Sequence, residues 1–191
     1  MTLLLPRSGF VHIFKCGGSS VREALKATGY SVRKEDESGN PLRPFNRRSH
    51  GKPSELTPEE RQDRFLFTFV REPVAWYRSY WSHRMAHAWT LPQYPEEREA
   101  WGDGRPFNKW VRAICDLHPG FLTRLYAEYT AGVDFVGRTE HLLGDLRRAL
   151  IQAGEQFLPV SVPLANRSRE LPPVSDAEKA LILDSEHELD Y

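Results

Sequence analysis

A chain of 191 residues is long enough for one domain with a single sizeable core, and 40% apolar with 27% charged residues is the composition of a soluble globular protein. Its 26 Lys+Arg balance 26 Asp+Glu, so the basic excess of a general nucleic-acid binder is missing, although a local basic cluster could still hold a small anion. Two cysteines, Cys16 and Cys115, leave no room for a disulfide framework, and the opening "MTLLLPRSGF" is too short an apolar run for a signal peptide or a membrane span. These features point to a reducing, cytoplasmic environment.

The apolar run "FVHIF" (10–14) suits a buried strand. Helical patterning follows from about Ser19 to Thr28, with Val21, Ala24 and Leu25 on one face and Gly29 as the stop. Residues 30–56 are polar and rich in Gly and Pro, which reads as a long surface excursion of the kind that often carries function. "TPEERQDR" opens a helix with Thr57 as N-cap, Pro58 at the first helical position and Glu60 completing a capping box. "FLFTFV" (65–70) is a second buried strand, broken by "REP", and a helix then runs from about Pro73 to Ala86. Residues 87–105 look irregular. Helices are expected over 107–117 and 120–131, then a short strand in "DFVGRTE" (134–140) entering a helix over 141–153. A proline-marked loop precedes a last helix capped by Ser175 with Glu178.

Strands alternating with helices predict an α/β fold in which a parallel sheet is covered on both faces and binds ligand at the carboxyl ends of its strands. "KCGGSS", "REP" and "RTE" all follow strands, so three polar clusters would converge on one sheet edge. In the first, Gly17 and Gly18 let backbone amides approach an anion closely, the helix beginning near Ser19 adds its positive end, Ser19 and Ser20 supply hydroxyls, and Lys15 supplies full charge. A Walker A loop places its lysine after the glycines, whereas Lys15 precedes them and the upstream glycine is absent. That excludes the ordinary triphosphatase loop. A plain tight turn capped by serine is the alternative for this stretch taken alone.

"HIFKCGGSS" resembles the 5′-phosphosulfate-binding loop of the sulfotransferases, which in the carbohydrate branch is similar to H-I-P-K-T-G-G-T-S. Here Phe14 stands for proline, Cys16 for threonine and Ser19 for threonine, and the Cys16 change removes one hydroxyl donor. "FTFVREPVAWYRSY" resembles the same family's R-D-P-x-x-R-x-x-S segment, which binds the 3′-phosphate of the donor. The resemblance implies a three-layer αβα fold like that of the P-loop NTPases, with a central parallel sheet and a single domain over residues 1–191. It implies 3′-phosphoadenylyl sulfate as co-substrate and 3′-phosphoadenosine 5′-phosphate as product. Contacts on the 5′ side would come from Lys15, Gly17, Gly18, Ser19 and Ser20, and on the 3′ side from Arg71 and Ser79. Lys15 would also stabilise the departing bridging oxygen. A hydroxyl acceptor needs a base, and His50 in "RRSHGKPSEL" lies where related carbohydrate sulfotransferases carry a catalytic histidine. A solvent-exposed loop histidine is the plainer reading of that residue.

His12 reads as a structural group inside the first strand, and Glu72 as a weaker base adjacent to Arg71. His83 and His87 have a zinc-compatible spacing, but no third ligand or H-E-x-x-H pattern accompanies them, so no metal is expected. Trp76, Tyr77, Tyr80 and Trp81 read as core, and Glu140 as scaffold. "ANRSRE" (165–170) resembles a late family segment closing over the nucleotide, which makes Arg169, or Arg167, a phosphate contact. Arg43, Arg47 and Arg48 read as a solvated charge run able to attract an anionic acceptor. The function expected is sulfuryl transfer to a hydroxyl, on a carbohydrate or glycan-like acceptor, without a membrane span. The alternatives are a small-molecule kinase with a variant phosphate loop and a nucleotide-binding module without chemistry.

Overall fold

The computed structural model describes residues 3–28, 51–86, 94–101, 106–156, 158–159, 161–163, 171–187 and 189. The chain divides into two compact units, Met1–Arg71 with Ala127–Asn166, and Glu72–Tyr126 with Arg167–Tyr191.

The first unit holds a four-stranded sheet in the order β1 (Leu3–Leu4), β2 (Ser8–Val11), β3 (Phe65–Val70), β4 (Phe135–Arg138). β2, β3 and β4 run parallel, while β1 pairs antiparallel with β2. The fold is therefore α/β, as expected, but the sheet is mixed rather than wholly parallel. β1 was not legible because two residues carry no alternation. It forms because Leu5 N–H donates to the Ser8 carbonyl at 2.8 Å, while the Glu155 carboxylate accepts from Arg7 N–H at 3.0 Å and the Ser8 hydroxyl at 2.7 Å. The turn between β1 and β2 thereby keeps its polar groups satisfied.

The strand expected over 10–14 is displaced. It begins at Ser8, which pairs with Phe65, and ends at Val11 opposite Thr68. Ile13 and Phe14 are buried all the same, at 1% and 6% exposure, in a turn rather than a strand. Helix α1 (Gly18–Ala27) buries Val21, Ala24 and Leu25, the face its spacing predicts. Helix α2 (Pro58–Arg61) has the capping box of Thr57 and Glu60, with its two bonds at 3.2 and 3.0 Å. Gly137 on β4 has no room for a side chain: a Cβ would lie 2.6 Å from the Phe69 ring and 2.9 Å from Asp145.

The second unit is helical. It contains α3 (Pro73–Ala86), α4 (Pro95–Trp101), α5 (Phe107–Leu117), the first turns of α6 (Phe121–Thr130), and, after α7 (Leu142–Gln152) of the first unit, α8 (Asp176–Ser185). α4 corrects the expectation of irregular chain over 95–101, while 87–93 and 102–105 lie outside the described residues. The aromatics of α3 form core as expected: Trp76 stacks on Tyr80 at 4.7 Å, and Tyr77 lies 5.6 Å from Trp110. Trp81 is half-buried, edge-on to Phe107. Two acids order this unit. Glu186 accepts from the Tyr77 hydroxyl at 2.6 Å and from Thr123 N–H at 2.8 Å, and fully buried Glu97 pairs with Arg84 at 3.0 Å. Among the described residues, no helix is long and apolar enough to cross a membrane.

Candidate functional site

The register of the parallel strands decides what meets at their tips. Val70 pairs with Arg138, so Arg71 and Thr139 leave the sheet at one level. β2 ends opposite Thr68, so the loop 12–17 runs alongside the last residues of β3. Side-chain donors then fix the tips. The Thr68 hydroxyl donates to the Val11 carbonyl at 2.7 Å, and the Thr139 hydroxyl donates to the Val70 carbonyl at 2.9 Å. Arg71 Nη1 donates to the Lys15 carbonyl at 3.2 Å. Of the three clusters expected to converge, Lys15 and Gly17, Arg71, and Thr139 come together within the first unit.

The loop itself has an unusual backbone. Cys16 N–H closes a turn onto the Ile13 carbonyl at 3.3 Å, with Lys15 inside it at φ 64°, a left-handed conformation that non-glycine residues seldom adopt. Gly17 is left-handed again, at φ 79°, as the N-cap of α1. Alternating handedness of this kind turns successive N–H groups toward one concave face, the geometry of an anion-binding nest. The first helical bond, Val21 N–H to the Gly17 carbonyl at 3.0 Å, places the amides of residues 18–20 in the opening turn of the helix. That turn has no side-chain cap and no acidic residue, so its positive end is not offset locally.

Packing explains both glycines. A Cβ on Gly18 would lie 1.9 Å from Cδ2 and Nε2 of His12, and one on Gly17 would meet Leu142 at 3.2 Å and Thr139 at 3.5 Å. His12 therefore lies just past β2, not within it, with its ring over Gly18 and stacked on Phe10 at 5.8 Å.

The surroundings of Lys15 disfavour its charge. Burial first, and the neighbouring Arg71 charge second, push its ammonium down to about 8, with Cys16 acting the other way. An anion placed there would relieve both penalties. Cys16 itself is buried at 1% exposure, and its N–H is taken up by the turn bond to the Ile13 carbonyl.

The remaining predicted residues divide. Ser19 is half-exposed at the start of α1, and Ser20 is buried at 6%. Ser79 belongs to the second unit and lies on the buried face of α3, at 5% exposure. Glu72 is a helix cap: its two carboxylate oxygens accept from Val74 N–H at 2.9 Å and Ala75 N–H at 2.7 Å, which removes much of its reach as a base. His50, Arg169, Arg167, His87 and the arginines 43, 47 and 48 lie outside the described residues. Among the described residues, no group of three or more His, Cys, Asp or Glu side chains is placed to hold a metal ion. Thr68 and Thr139 were missed as site residues, because only the register reveals which carbonyls their hydroxyls reach.

Comparison of the chain with known protein families, with curated proteins and with solved structures gave no match.

Proposed function

We propose that the chain is a sulfotransferase that moves a sulfuryl group from 3′-phosphoadenylyl sulfate to the hydroxyl of a carbohydrate-like acceptor. One observation carries the reading. Lys15 and Arg71, 56 residues apart in sequence, meet at the strand tips beside a glycine-lined, uncapped helix start. Both glycines are packed too closely against Leu142, Thr139 and His12 to carry a side chain, and the residue types around them suit a phosphate that carries a further anionic group. On this reading the helix start and Lys15 hold the 5′-phosphate, and the resemblance assigns the 3′-phosphate to Arg71 and Ser79, with Arg169 as a further contact.

Transfer breaks the bond between sulfur and the bridging oxygen and forms one between sulfur and the acceptor oxygen. The bridging electron pair stays on the departing phosphate, where Lys15 neutralises the growing charge, as in phosphoryl transfer. The acceptor proton passes to His50. No metal is assigned a role.

Thermal shift tests the donor directly. Adenosine 3′,5′-bisphosphate is expected to raise the melting temperature at concentrations where ATP with magnesium does not. The reverse ranking would favour a kinase. His50→Ala is expected to lower turnover by about 10²–10⁴-fold while bisphosphate affinity stays within about twofold, the separation expected of a general base. Turnover retained alongside weakened bisphosphate binding would remove His50 from the base role.

A further inference from the structure

The resemblance gives Arg71 one task, on the 3′-phosphate. Its position gives it another. Lys15 is held in a left-handed backbone conformation that costs a non-glycine residue on the order of 1 kcal/mol, so surrounding bonds must enforce it. One is the long turn bond from Cys16 N–H to the Ile13 carbonyl. Another is the charge-assisted bond from Arg71 Nη1 to the carbonyl of Lys15 itself. Arg71 is in turn anchored from behind, because the carbonyl of Val70 accepts the Thr139 hydroxyl. The chain of contacts thus runs from the tip of β4, through the tip of β3, to the backbone of Lys15.

Resting on the nucleotide reading of this site, we infer that Arg71 is a positioning residue for Lys15, acting on the 5′ side of the ligand as well as on the 3′ side. The guanidinium holds the Lys15 carbonyl, and with it the left-handed turn that aims the side chain. Without it, residue 15 relaxes toward ordinary backbone angles and its ammonium leaves the mouth of the helix. Arg71 therefore contributes to binding of any 5′-phosphorylated adenosine, whether or not a 3′-phosphate is present.

The test pairs two ligands with two variants. Wild type, Arg71→Ala and Arg71→Lys are titrated calorimetrically with adenosine 5′-monophosphate and adenosine 3′,5′-bisphosphate. Arg71→Ala is expected to weaken monophosphate binding about tenfold or more, the size of a lost hydrogen bond from a charged donor. Arg71→Lys keeps the charge without the planar fork and should fall between. A monophosphate affinity within about twofold of wild type, with only the bisphosphate advantage erased, would overturn the inference and return Arg71 to the 3′-phosphate alone. Amide hydrogen exchange on the free protein gives a second readout that needs no nucleotide. Loop amides 15–20 are expected to exchange faster in Arg71→Ala, with those of Phe67 and Phe69 in β3 unchanged. Unaltered loop exchange refutes the positioning role even if no nucleotide binds, whereas failure of wild type to bind either nucleotide, with loop exchange altered, refutes only the nucleotide reading.

Discussion

Lys15→Ala is expected to reduce sulfuryl transfer by on the order of 10³-fold under the proposed function, because it removes the charge which that proposal sets against the departing phosphate, an interaction of the oxyanion-hole type. The fold should survive. Alanine inherits the left-handed backbone of residue 15 at no greater cost than lysine, since both carry a Cβ. The folded protein also holds the Lys15 ammonium against burial and against Arg71, which is why it is pushed down to about 8. Between about 8 and the ordinary 10.5 the unfolded chain binds more protons at this position than the folded one, so stability rises with pH through that window. Below it the folded state carries the full penalty, and Lys15→Ala should melt no lower than wild type at neutral pH. Ligand binding follows the opposite course, since an anion recruits the protonated amine. Affinity for adenosine 3′,5′-bisphosphate should fall above pH 8, by at most about tenfold per unit. Lys15→Arg, charged throughout, should flatten that profile. Melting curves and a transfer assay across pH 6–10 check each part. Near-normal transfer by the alanine variant would remove Lys15 from the site.

The sequence was most informative where a local rule and the tertiary structure agreed. α5 has its expected bounds, Phe107–Leu117, because its apolar face matches the helical period, and α8 begins at the Ser175–Glu178 capping box. Errors arose where burial and conformation part company. Ile13 and Phe14 are as apolar as strand residues, but they bury into a turn, so pattern alone extended β2 too far. α4 opens with a legible proline and two acids, yet its Glu97 is fully buried against Arg84, an arrangement no polar pattern announces. The site divides in the same way. Lys15, Gly17 and Gly18 could be singled out because an anion cradle would call for those residue types in that order. The left-handed Lys15, the carbonyl under Arg71, the cap made by Glu72 and the threonine contacts were not, because each depends on which residue of a neighbouring strand or turn stands opposite. Glycine 18 belongs to both groups: its presence was expected for close approach of an anion, whereas the structure adds that it makes room for a histidine.

That second reason gives Gly18→Ala an outsized expected effect. The new methyl would occupy the same space as the His12 ring, 1.9 Å from two of its atoms. Moving the ring would break its stacking on Phe10, which is itself packed on Phe67 at 5.5 Å. Relief must come from moving the helix start or the ring, an overpacking cost of about 1–3 kcal/mol. For a chain of this size that lowers the melting temperature by about 2–4 °C per kcal/mol. The functional loss should be larger than the loss of stability. The first turn of α1 is the proposed phosphate seat, and a shift near 1 Å at such a site costs on the order of 10²-fold. His12→Ala in the Gly18→Ala background empties the contested space and should recover most of the bisphosphate affinity, a coupling of about 0.5–3 kcal/mol in the double-mutant cycle. The same rescue should fail for Gly17→Ala. That residue needs its left-handed φ of 79° and meets Leu142 rather than His12. If His12→Ala restores neither melting temperature nor affinity to Gly18→Ala, the ring is not what residue 18 makes room for.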